Sequence, residues 1–456
     1  MHFDRIVLAA VLALALVIGG LSVAAARLGP SVDSLTTAQA LDGTSVNTQV
    51  GLTFTEPMNT ASVNRNFHID PRVPGDYTWS GNSVFFTPRH SLAYGMHYTL
   101  TVGTGARDVS GRHLAHVYEA TITTQSEHLL YLATQGSNSG RLVLTSITGR
   151  ETPVGSADGL VTDFSVSFDG SLAVYVKRGS HGERPDEIWM LSLADDSTQR
   201  IFRKTDWALT QPHFSPDGST IVFLATNVRI CSKYYGCYRD RSGPVVEMLN
   251  VRTGKVRAFR SRTDVPLTNF IAFSPSGQIA YTDLGSALTL AQPSGGRILH
   301  IPDRGNSLEF AGFDSRGDKA AFVGQTPSSS GGDVLVYQGG SYVDVSRGVY
   351  DSSTPGFSTS GKQIAYAAYR GELGIQPIYG INVYNFSNHR TLHLTAEHTW
   401  SDWTPTWSQD DRYIAFVRSQ PQEAMYMGSG AIWVMRSDGR DARPLGGEGM
   451  NPQWVT

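Results

Sequence analysis

The two cysteines of the chain, Cys231 and Cys237, are separated by five residues in the stretch RICSKYYGCYRD. Such a pair can form a disulfide, stay as two free thiols or contribute to a zinc site. Zinc needs two further ligands, and no CxxC or nearby HxxxH supplies them. In an exported chain the pair favours a disulfide, which would stabilise the fold by roughly 2 kcal/mol in the chain-entropy model. Free thiols remain the alternative.

Histidines are a second source of metal chemistry, and four of them fall in one segment: His90, His97, His113 and His116. No carboxylate at a suitable spacing completes a metal site beside them. We therefore interpret them as exposed loop residues. The sequence predicts no metal site and no cofactor.

Aspartates offer two kinds of carboxylate chemistry. Asp169 and Asp217 occupy the same place in a recurring turn, which indicates turn formers rather than catalytic groups. Five others lie in segments that lead into repeated strands: Asp163, Asp206, Asp264, Asp303 and Asp402. A glycosidase needs two carboxylates about 5–10 Å apart. A lyase or hydrolase that acts on a polysaccharide in a central pocket therefore stays open as the alternative function.

The motifs of several other enzyme classes are missing from the sequence. GSNSG at Gly136 carries asparagine where the nucleophile elbow of a serine hydrolase carries serine. No P-loop, dinucleotide fingerprint, HExxH or EF-hand loop is present. We predict no catalytic residue and a protein that is not an enzyme.

The composition of the 456-residue chain is typical of a folded protein without a nucleic-acid partner. Charged residues make up 17% and hydrophobic residues 40%, enough for a core. Lys and Arg total 37 against 40 Asp and Glu, a net charge of -3. This balance leaves no basic excess to neutralise phosphates.

The N-terminal stretch from Ile6 to Ala26 contains no charge. As a helix it would rise about 31 Å, enough for a bilayer core of roughly 30 Å. One interpretation is an uncleaved anchor, with Arg5 on the cytoplasmic side and the bulk of the chain outside the cytoplasm. The other is a signal peptide cleaved near Ala24–Ala26, which gives a secreted or periplasmic protein. Both export everything after Arg27.

Residues 31–125 show short runs with apolar residues at every second position, such as VGLTFTEPM, NSVFFTPR and HYTLTVG. Turn residues separate the runs every 8–12 positions, a rhythm typical of a β-sandwich. The segment resembles the bacterial Ig-like domain named after the SbsA surface-layer protein. The matching residues are the Glu56-Pro57-Met58 turn, Trp79 before Gly81-Asn82, Phe86-Thr87-Pro88, and Tyr98-Thr99. The resemblance implies a spacer or adhesion module on the cell exterior, with Phe67, Trp79, Phe86 and Tyr98 in its core.

Residues 128–456 contain a repeat in which an aromatic residue precedes a turn and then a strand. Its aromatic residues are Phe168, Phe214, Phe273, Phe313, Phe357, Trp407 and Trp454. The period is about 48 residues, which predicts one four-stranded propeller blade per repeat, the aromatic packing between blades. Counting gives seven blades, and six or eight would follow from one miscounted irregular repeat.

The two ends of this region complement each other. HLLYLATQ, RLVLTSITG and RETPVG match the last three strands of a blade, and the terminal NPQWVT matches a first strand. Pairing them would close the ring and remove exposed sheet edges. The repeat resembles the propeller repeat of TolB and related exported proteins, with FSPDG at Phe214–Gly218 the nearest match. The resemblance implies a periplasmic or extracellular propeller used for binding.

Long, aromatic-rich insertions fall on one predicted face of the ring, where binding residues usually lie. We predict that six residues line a binding face: Arg229, Tyr234, Tyr235, Trp400, Trp403 and Tyr426. The alternative is that these aromatic residues only pack the insertions down onto the barrel.

The sequence therefore predicts an all-β protein with three parts: a signal or transmembrane helix in residues 1–30, an Ig-like β-sandwich in 31–125 and a seven-bladed β-propeller in 128–456. The predicted function is exported, membrane-anchored, non-catalytic capture of a protein, peptide or glycan. A purely structural envelope component is a third class.

Overall fold

The computed structural model describes residues 29–40, 42–46, 48–89, 92–179, 185–227, 244–259, 271–282, 286–302, 308–324, 332–347, 352–395, 399–421 and 429–455. The chain divides into two units between Ser126 and Glu127. No helix within these residues is long and apolar enough to cross a membrane. The predicted N-terminal helix, residues 6–26, and both cysteines lie outside the described residues.

The first unit contains nine strands and one short helix among its described residues. The strands are β1 (Val32–Thr36), β2 (Gln39–Ala40), β3 (Gly43–Thr44), β4 (Val50–Phe54), β5 (Phe67–Asp70), β6 (Gly75–Ser80), β7 (Ser83–Pro88), β8 (His97–Val102) and β9 (Tyr118–Thr123). They form a sheet in the order β1-β4-β7-β6, a sheet in the order β5-β8-β9 and the hairpin β2-β3. Helix α1 (Thr60–Asn66) begins where the Asn59 side chain accepts a bond from the Ser62 N–H at 3.0 Å.

Alternating side chains of both sheets fill the core of this unit. Phe67, Phe86 and Tyr98 are at most 5% exposed, as predicted for the core. Trp79 is only partly buried and packs at the core's edge, its ring 6.3 Å from that of Phe54.

The second unit consists of antiparallel sheets in which each strand pairs with its neighbour in sequence. Its first six strands are β10 (His128–Ala133), β11 (Leu142–Ser146), β12 (Glu151–Val154), β13 (Val161–Val166), β14 (Leu172–Lys177) and β15 (Asp186–Ser192); a 3-10 turn spans Gly136–Asn138. The next ten are β16 (Thr198–Lys204), β17 (Trp207–Phe214), β18 (Thr220–Asn227), β19 (Val245–Asn250), β20 (Val256–Ala258), β21 (Ile271–Phe273), β22 (Ile279–Tyr281), β23 (Ser286–Ala291), β24 (Arg297–Pro302) and β25 (Glu309–Phe313). The remaining strands are β26 (Ala320–Gly324), β27 (Asp333–Gln338), β28 (Ser341–Asp344), β29 (Ser352–Phe357), β30 (Gln363–Leu373), β31 (Gln376–Asn385), β32 (Arg390–His393), β33 (Ser401–Trp407), β34 (Tyr413–Ser419), β35 (Ser429–Arg436) and β36 (Arg443–Val455).

Within the described part of this unit five sheets have four strands: β13–β16, β17–β20, β21–β24, β25–β28 and β29–β32. A further sheet has seven, in the order β12-β11-β10-β36-β35-β34-β33. Strand β36 is shared, because its first half pairs with β35 and its second half with β10. His128 lies opposite Val455 and Leu129 opposite Trp454, so the last strand of the second unit pairs with its first, as the sequence predicts.

The strands that begin each sheet pack against one another, and we call them the inner strands: β13, β17, β21, β25, β29, β33 and the second half of β36. Contacts between successive inner strands run from β13 through β17 to β21 and from β25 through β29 and β33 to β36, and β36 contacts β13. Strand β25 contacts β23 of the sheet before it. Buried apolar side chains fill the space between neighbouring sheets. This arrangement of consecutive four-stranded sheets is typical of a β-propeller.

A tight turn joins the first two strands of each sheet and explains the recurring Ser and Asp. In the β17–β18 turn the Ser215 hydroxyl donates to Asp217 at 2.6 Å, and the same carboxylate oxygen accepts the Ser219 N–H at 3.1 Å. Gly218 has a φ of 67°, which favours glycine. Asp169 makes the equivalent bonds to Ser167 and Ser171.

The prediction that the repeat's aromatic packs between sheets is wrong at its first occurrence. Phe168 is 48% exposed. It lies in the turn between Ser167 and Asp169, at the position that Pro216 takes in the next repeat. Phe214, Trp407 and Trp454, by contrast, are at most 6% exposed.

Candidate functional site

Four inner strands contain a left-handed residue immediately before a proline. They are Gln211, Thr354, Thr404 and Asn451, with φ values of 51°, 46°, 47° and 53°. Residues with side chains rarely adopt this conformation, which costs on the order of 1–3 kcal/mol at each position. In β17, β29 and β33 the pairing register shifts at this point, so the inner strands are bulged there.

Side-chain hydrogen bonds between neighbouring inner strands hold these bulges. The Ile271 N–H donates to Gln211 Oε1 at 3.1 Å, and the Thr404 N–H donates to Thr354 Oγ1 at 3.1 Å. Asn451 Nδ2 donates to the Phe164 carbonyl at 3.3 Å, across the closure of the ring. The bulges therefore link successive sheets.

Asp163 belongs to the same set of links. Its carboxylate accepts the N–H groups of Gln211 at 2.7 Å and Phe164 at 2.8 Å. Burial raises the pKa of Asp163 above its ordinary value, although these two bonds act in the opposite direction. The Asp163 carboxylate thus links β13 to the backbone of β17 in the neighbouring sheet.

An aromatic group lies where β33 packs on the preceding sheet. Trp403 is 3% exposed and its ring centroid is 4.1 Å from that of Tyr379 in β31. Tyr379 in turn makes an edge contact with Tyr369 in β30, at 6.1 Å. Ser401 ties the same strands together, because its hydroxyl donates to the Pro377 carbonyl at 3.2 Å.

Five buried polar atoms around these strands have no hydrogen-bond partner among the described residues. They are Oγ of Ser352, Oγ of Ser353, Nε1 of Trp403, Oγ1 of Thr404 and Oγ of Ser419. We call these five residues the β33 site. Ser352 and Ser353 lie at the start of β29, Trp403 and Thr404 in β33, and Ser419 at the end of the adjacent β34. A buried polar atom without a partner costs about 1–3 kcal/mol, so a molecule that bonded to these atoms would recover part of that cost.

A buried ion pair borders the β33 site. Arg418 Nε and Nη2 donate to the two carboxylate oxygens of Asp402, at 2.7 and 2.9 Å. Both side chains are at most 5% exposed. The Arg418 guanidinium also lies 4.3 Å from the ring centroid of Trp433. Asp402, one of the five aspartates considered as glycosidase carboxylates, therefore neutralises a buried cation.

The structure describes only two of the six residues predicted for the binding face. Trp400 is partly exposed. Trp403 is buried against Tyr379, so its ring supports the site from inside instead of lining an exposed face. The other four, Arg229, Tyr234, Tyr235 and Tyr426, lie outside the described residues, as do Cys231, Cys237, His90, Asp264 and Asp303.

The remaining predicted groups lie in surface or turn positions. His97 and His113 are exposed and make local bonds to Thr123 and the Thr104 carbonyl, both at 2.8 Å. Asp206 has a φ of 61° in the turn between β16 and β17. No group of three or more metal-ligating side chains occurs within the described ranges.

Sequence reasoning missed the strained residues of the inner strands, although a signal for them exists. QPHF, TPGF, TPTW and NPQW each place a polar residue and a proline before an aromatic residue, which is buried in three of the four and partly buried in TPGF. Tyr379 and Arg370 were also missed, because they lie in YRGELGIQPIYG, residues 369–380, one of the aromatic-rich segments interpreted as insertions. That segment instead continues β30 and β31 as a long hairpin.

Comparisons with known proteins agree with the predicted domain types. Residues 26–124 match the family model of the bacterial Ig-like domain, which confirms the prediction of an Ig-like domain. No curated protein matches the chain.

Several solved β-propeller structures are similar to the chain at low identity. TolB from Acinetobacter baumannii is 14% identical, with 86% of this chain and 83% of that one covered and a TM-score of 0.42. The β-propeller domain of the Trilobed protease from Pyrococcus furiosus is 10% identical, with 77% and 93% covered and a TM-score of 0.45. An oligogalacturonate lyase in complex with manganese is 10% identical, with 85% and 93% covered and a TM-score of 0.46.

Proposed function

We propose that the chain is an exported, membrane-anchored binding protein in which an Ig-like domain precedes a seven-bladed β-propeller. In this proposal the propeller captures a protein, peptide or glycan at the β33 site. The seventh blade is composite: β10, β11 and β12 take the second half of β36 as their first strand. The five four-stranded sheets and the blade β33–β36 supply the other six.

The observation that carries the proposal is the set of unpartnered polar atoms in the β33 site. Ser352, Trp403 and Ser419 are at most 3% exposed, and each has a donor without an acceptor among the described residues. Hydroxyl and indole donors beside aromatic rings suit the hydroxyls of a glycan or the carbonyls of a peptide. The strained Thr404 belongs to the same site, and strain of this kind clusters at ligand-binding positions.

The anchoring part of the proposal rests on the sequence. The uncharged stretch from Ile6 to Ala26 precedes the segment predicted to be Ig-like, and both interpretations of it export the rest of the chain. Carbonate extraction of membranes tests the anchor, since release of the full-length protein into the soluble fraction contradicts it.

The binding part is tested with the full chain in detergent against a glycan array and a displayed peptide library. Trp403→Phe keeps an aromatic ring at this position but removes the indole N–H and part of the ring volume, so its control must lose the same volume. Loss of one buried hydrogen bond worth about 0.5–1.5 kcal/mol should weaken binding about two- to thirteenfold. Trp407→Phe is the matched control, because the Trp407 N–H already donates to the Gly356 carbonyl at 3.0 Å.

Three results would contradict the proposal. Equal binding by wild type and Trp403→Phe removes the β33 site from it, and no saturable binding at all favours a structural envelope component. Release of shorter products from an oligosaccharide would contradict a capture function and favour the alternative, a polysaccharide lyase or hydrolase.

A further inference from the structure

Arg370 occupies a β-bulge in the long hairpin of β30 and β31. Tyr369 lies opposite Tyr379 and Gly371 opposite Ile378, so Arg370 between them has no residue opposite it. The φ of Gly371 is 133°, a value that side-chain-bearing residues rarely adopt. A bulge redirects the side chain of its extra residue.

A glycine in the paired strand makes room for this side chain. A Cβ atom at Gly380 would lie 2.9 Å from Arg370 Nε and 2.3 Å from the Thr395 carbonyl oxygen. The second contact is with backbone, which cannot move aside easily. A larger residue at 380 would therefore displace the guanidinium, the Thr395 backbone or both.

A buried amide orients the guanidinium. Asn382 is fully buried, and its Oδ1 accepts a bond from Arg370 Nη2. The same oxygen contacts His393 Nδ1 at 2.8 Å, and Asn382 Nδ2 donates to Tyr366 at 3.5 Å. Arg370 Nε reaches the Thr395 carbonyl at 3.5 Å. Arg370 is thus held by neutral acceptors only.

No carboxylate lies within ion-pair distance of Arg370 among the described residues, and the Asp402 carboxylate that acts on it electrostatically is already bonded to Arg418. Burial lowers the pKa of Arg370. Burial and the Arg370 charge lower the pKa of His393, which favours its neutral imidazole. The partly buried Arg370 therefore keeps a positive charge that no neighbouring carboxylate in the described part of the chain neutralises. Of its five N–H donors, two are used by Asn382 and Thr395.

We infer that Arg370 is a binding residue for a carboxylate group of a ligand. A carboxylate carries one negative charge and matches the free N–H donors of a guanidinium in a bidentate arrangement. A phosphate dianion would leave one charge unbalanced beside a single cation and a neutral histidine. The inference does not depend on the β33 site.

Isothermal titration of the full chain tests the inference with two carboxylate sources and their neutral analogues. The probes are N-acetyl-alanine against N-acetyl-alaninamide, D-glucuronate against D-glucose, and inorganic phosphate. We expect at least one carboxylate to bind and its neutral analogue to bind about tenfold more weakly or not at all. The probe that binds identifies the carboxylate source as a peptide or a sugar acid.

Variants locate the binding at Arg370. Arg370→Gln should weaken carboxylate binding about tenfold or more, whereas Arg440→Gln, at an 82% exposed arginine, should leave it unchanged. If Arg370→Gln fails to fold, Arg370→Lys keeps the charge and should still lose about threefold or more, because it lacks the guanidinium fork. Gly380→Ala should weaken binding without removing any charge.

The inference is overturned if neither carboxylate binds the wild-type chain. It is also overturned if binding survives unchanged in Arg370→Gln or Arg370→Lys, or if phosphate binds as tightly as the carboxylates.

Discussion

Replacement of Glu127 by glutamine should remove a pH dependence from the stability of the second unit. Glu127 is 4% exposed and immediately precedes β10. Burial, the charge of Asp410 and a bond to that carboxylate together raise the pKa of Glu127 to about 8, while Arg412 and Ser408 act in the opposite direction. One oxygen of Glu127 and one of Asp410 are buried without a hydrogen-bond partner among the described residues.

The raised pKa of Glu127 determines the direction in which stability changes with pH. The folded chain keeps a proton that the unfolded chain releases above its ordinary pKa of 4.5. The free energy of unfolding therefore falls as pH rises from about 4.5 to about 8, with a limiting slope of about 1.4 kcal/mol per pH unit. Across this interval the loss is on the order of 3–5 kcal/mol.

Urea unfolding of the full chain at pH 5, 6, 7 and 8 measures this effect. Glu127→Gln stays neutral, so it should gain stability over wild type progressively from pH 5 to pH 8 and differ little at pH 5. Glu309→Gln is the control, because Glu309 is exposed in β25 and should follow the wild-type curve. Parallel curves for wild type and Glu127→Gln would refute the reasoning.

Three further predictions concern the ring and its inner strands. Trp454→Ala should lower the free energy of unfolding by about 3–5 kcal/mol in urea titrations. The Trp454 side chain is 6% exposed in β36, the closing strand, and its indole N–H donates to the Thr406 carbonyl at 3.1 Å. Asp402→Asn should lower the free energy of unfolding by about 3–5 kcal/mol, since it removes the carboxylate charge that faces the buried Arg418, and a double variant that also carries Arg418→Met should lose less. Thr404→Gly should raise the melting temperature by relieving a left-handed φ worth about 1 kcal/mol, without losing a hydroxyl bond. Thr354→Gly should gain less, because Thr354 Oγ1 accepts the Thr404 N–H; equal shifts for both would contradict this account.

Much of the architecture could be predicted because local physics determines it. Apolar residues at every second position fix which face of each strand is buried. A repeated Ser-x-Asp-Gly turn needs only neighbouring residues, so Ser215, Asp217 and Gly218 identify a hairpin from sequence alone. The partial blade that starts near His128 and the terminal NPQWVT complement each other, which predicts that these two segments pair, as His128 and Val455 do.

The candidate sites could not be predicted in the same way, because they depend on contacts between distant segments. Phe168 is aromatic, as the repeat requires, yet it lies exposed in a turn. It stands two positions after the place that the buried Phe214 takes in the next repeat, and this shift decides which residue is buried. Trp403 is an aromatic in a loop-like segment by sequence, and only the packing of β33 on Tyr379 places it inside.

The sequence by itself determined the strand pattern, the turns, the order of the repeats and the complementarity of the two ends, because these follow from residues close together in the chain. Only the tertiary structure decided which polar groups share a buried environment. Strand packing places Glu127 beside Asp410. A bulge in β30 and a glycine in β31 place Arg370 beside Asn382, away from any ion-pair partner among the described residues. Burial and charge balance belong to the assembled sheets, so no local pattern encodes them.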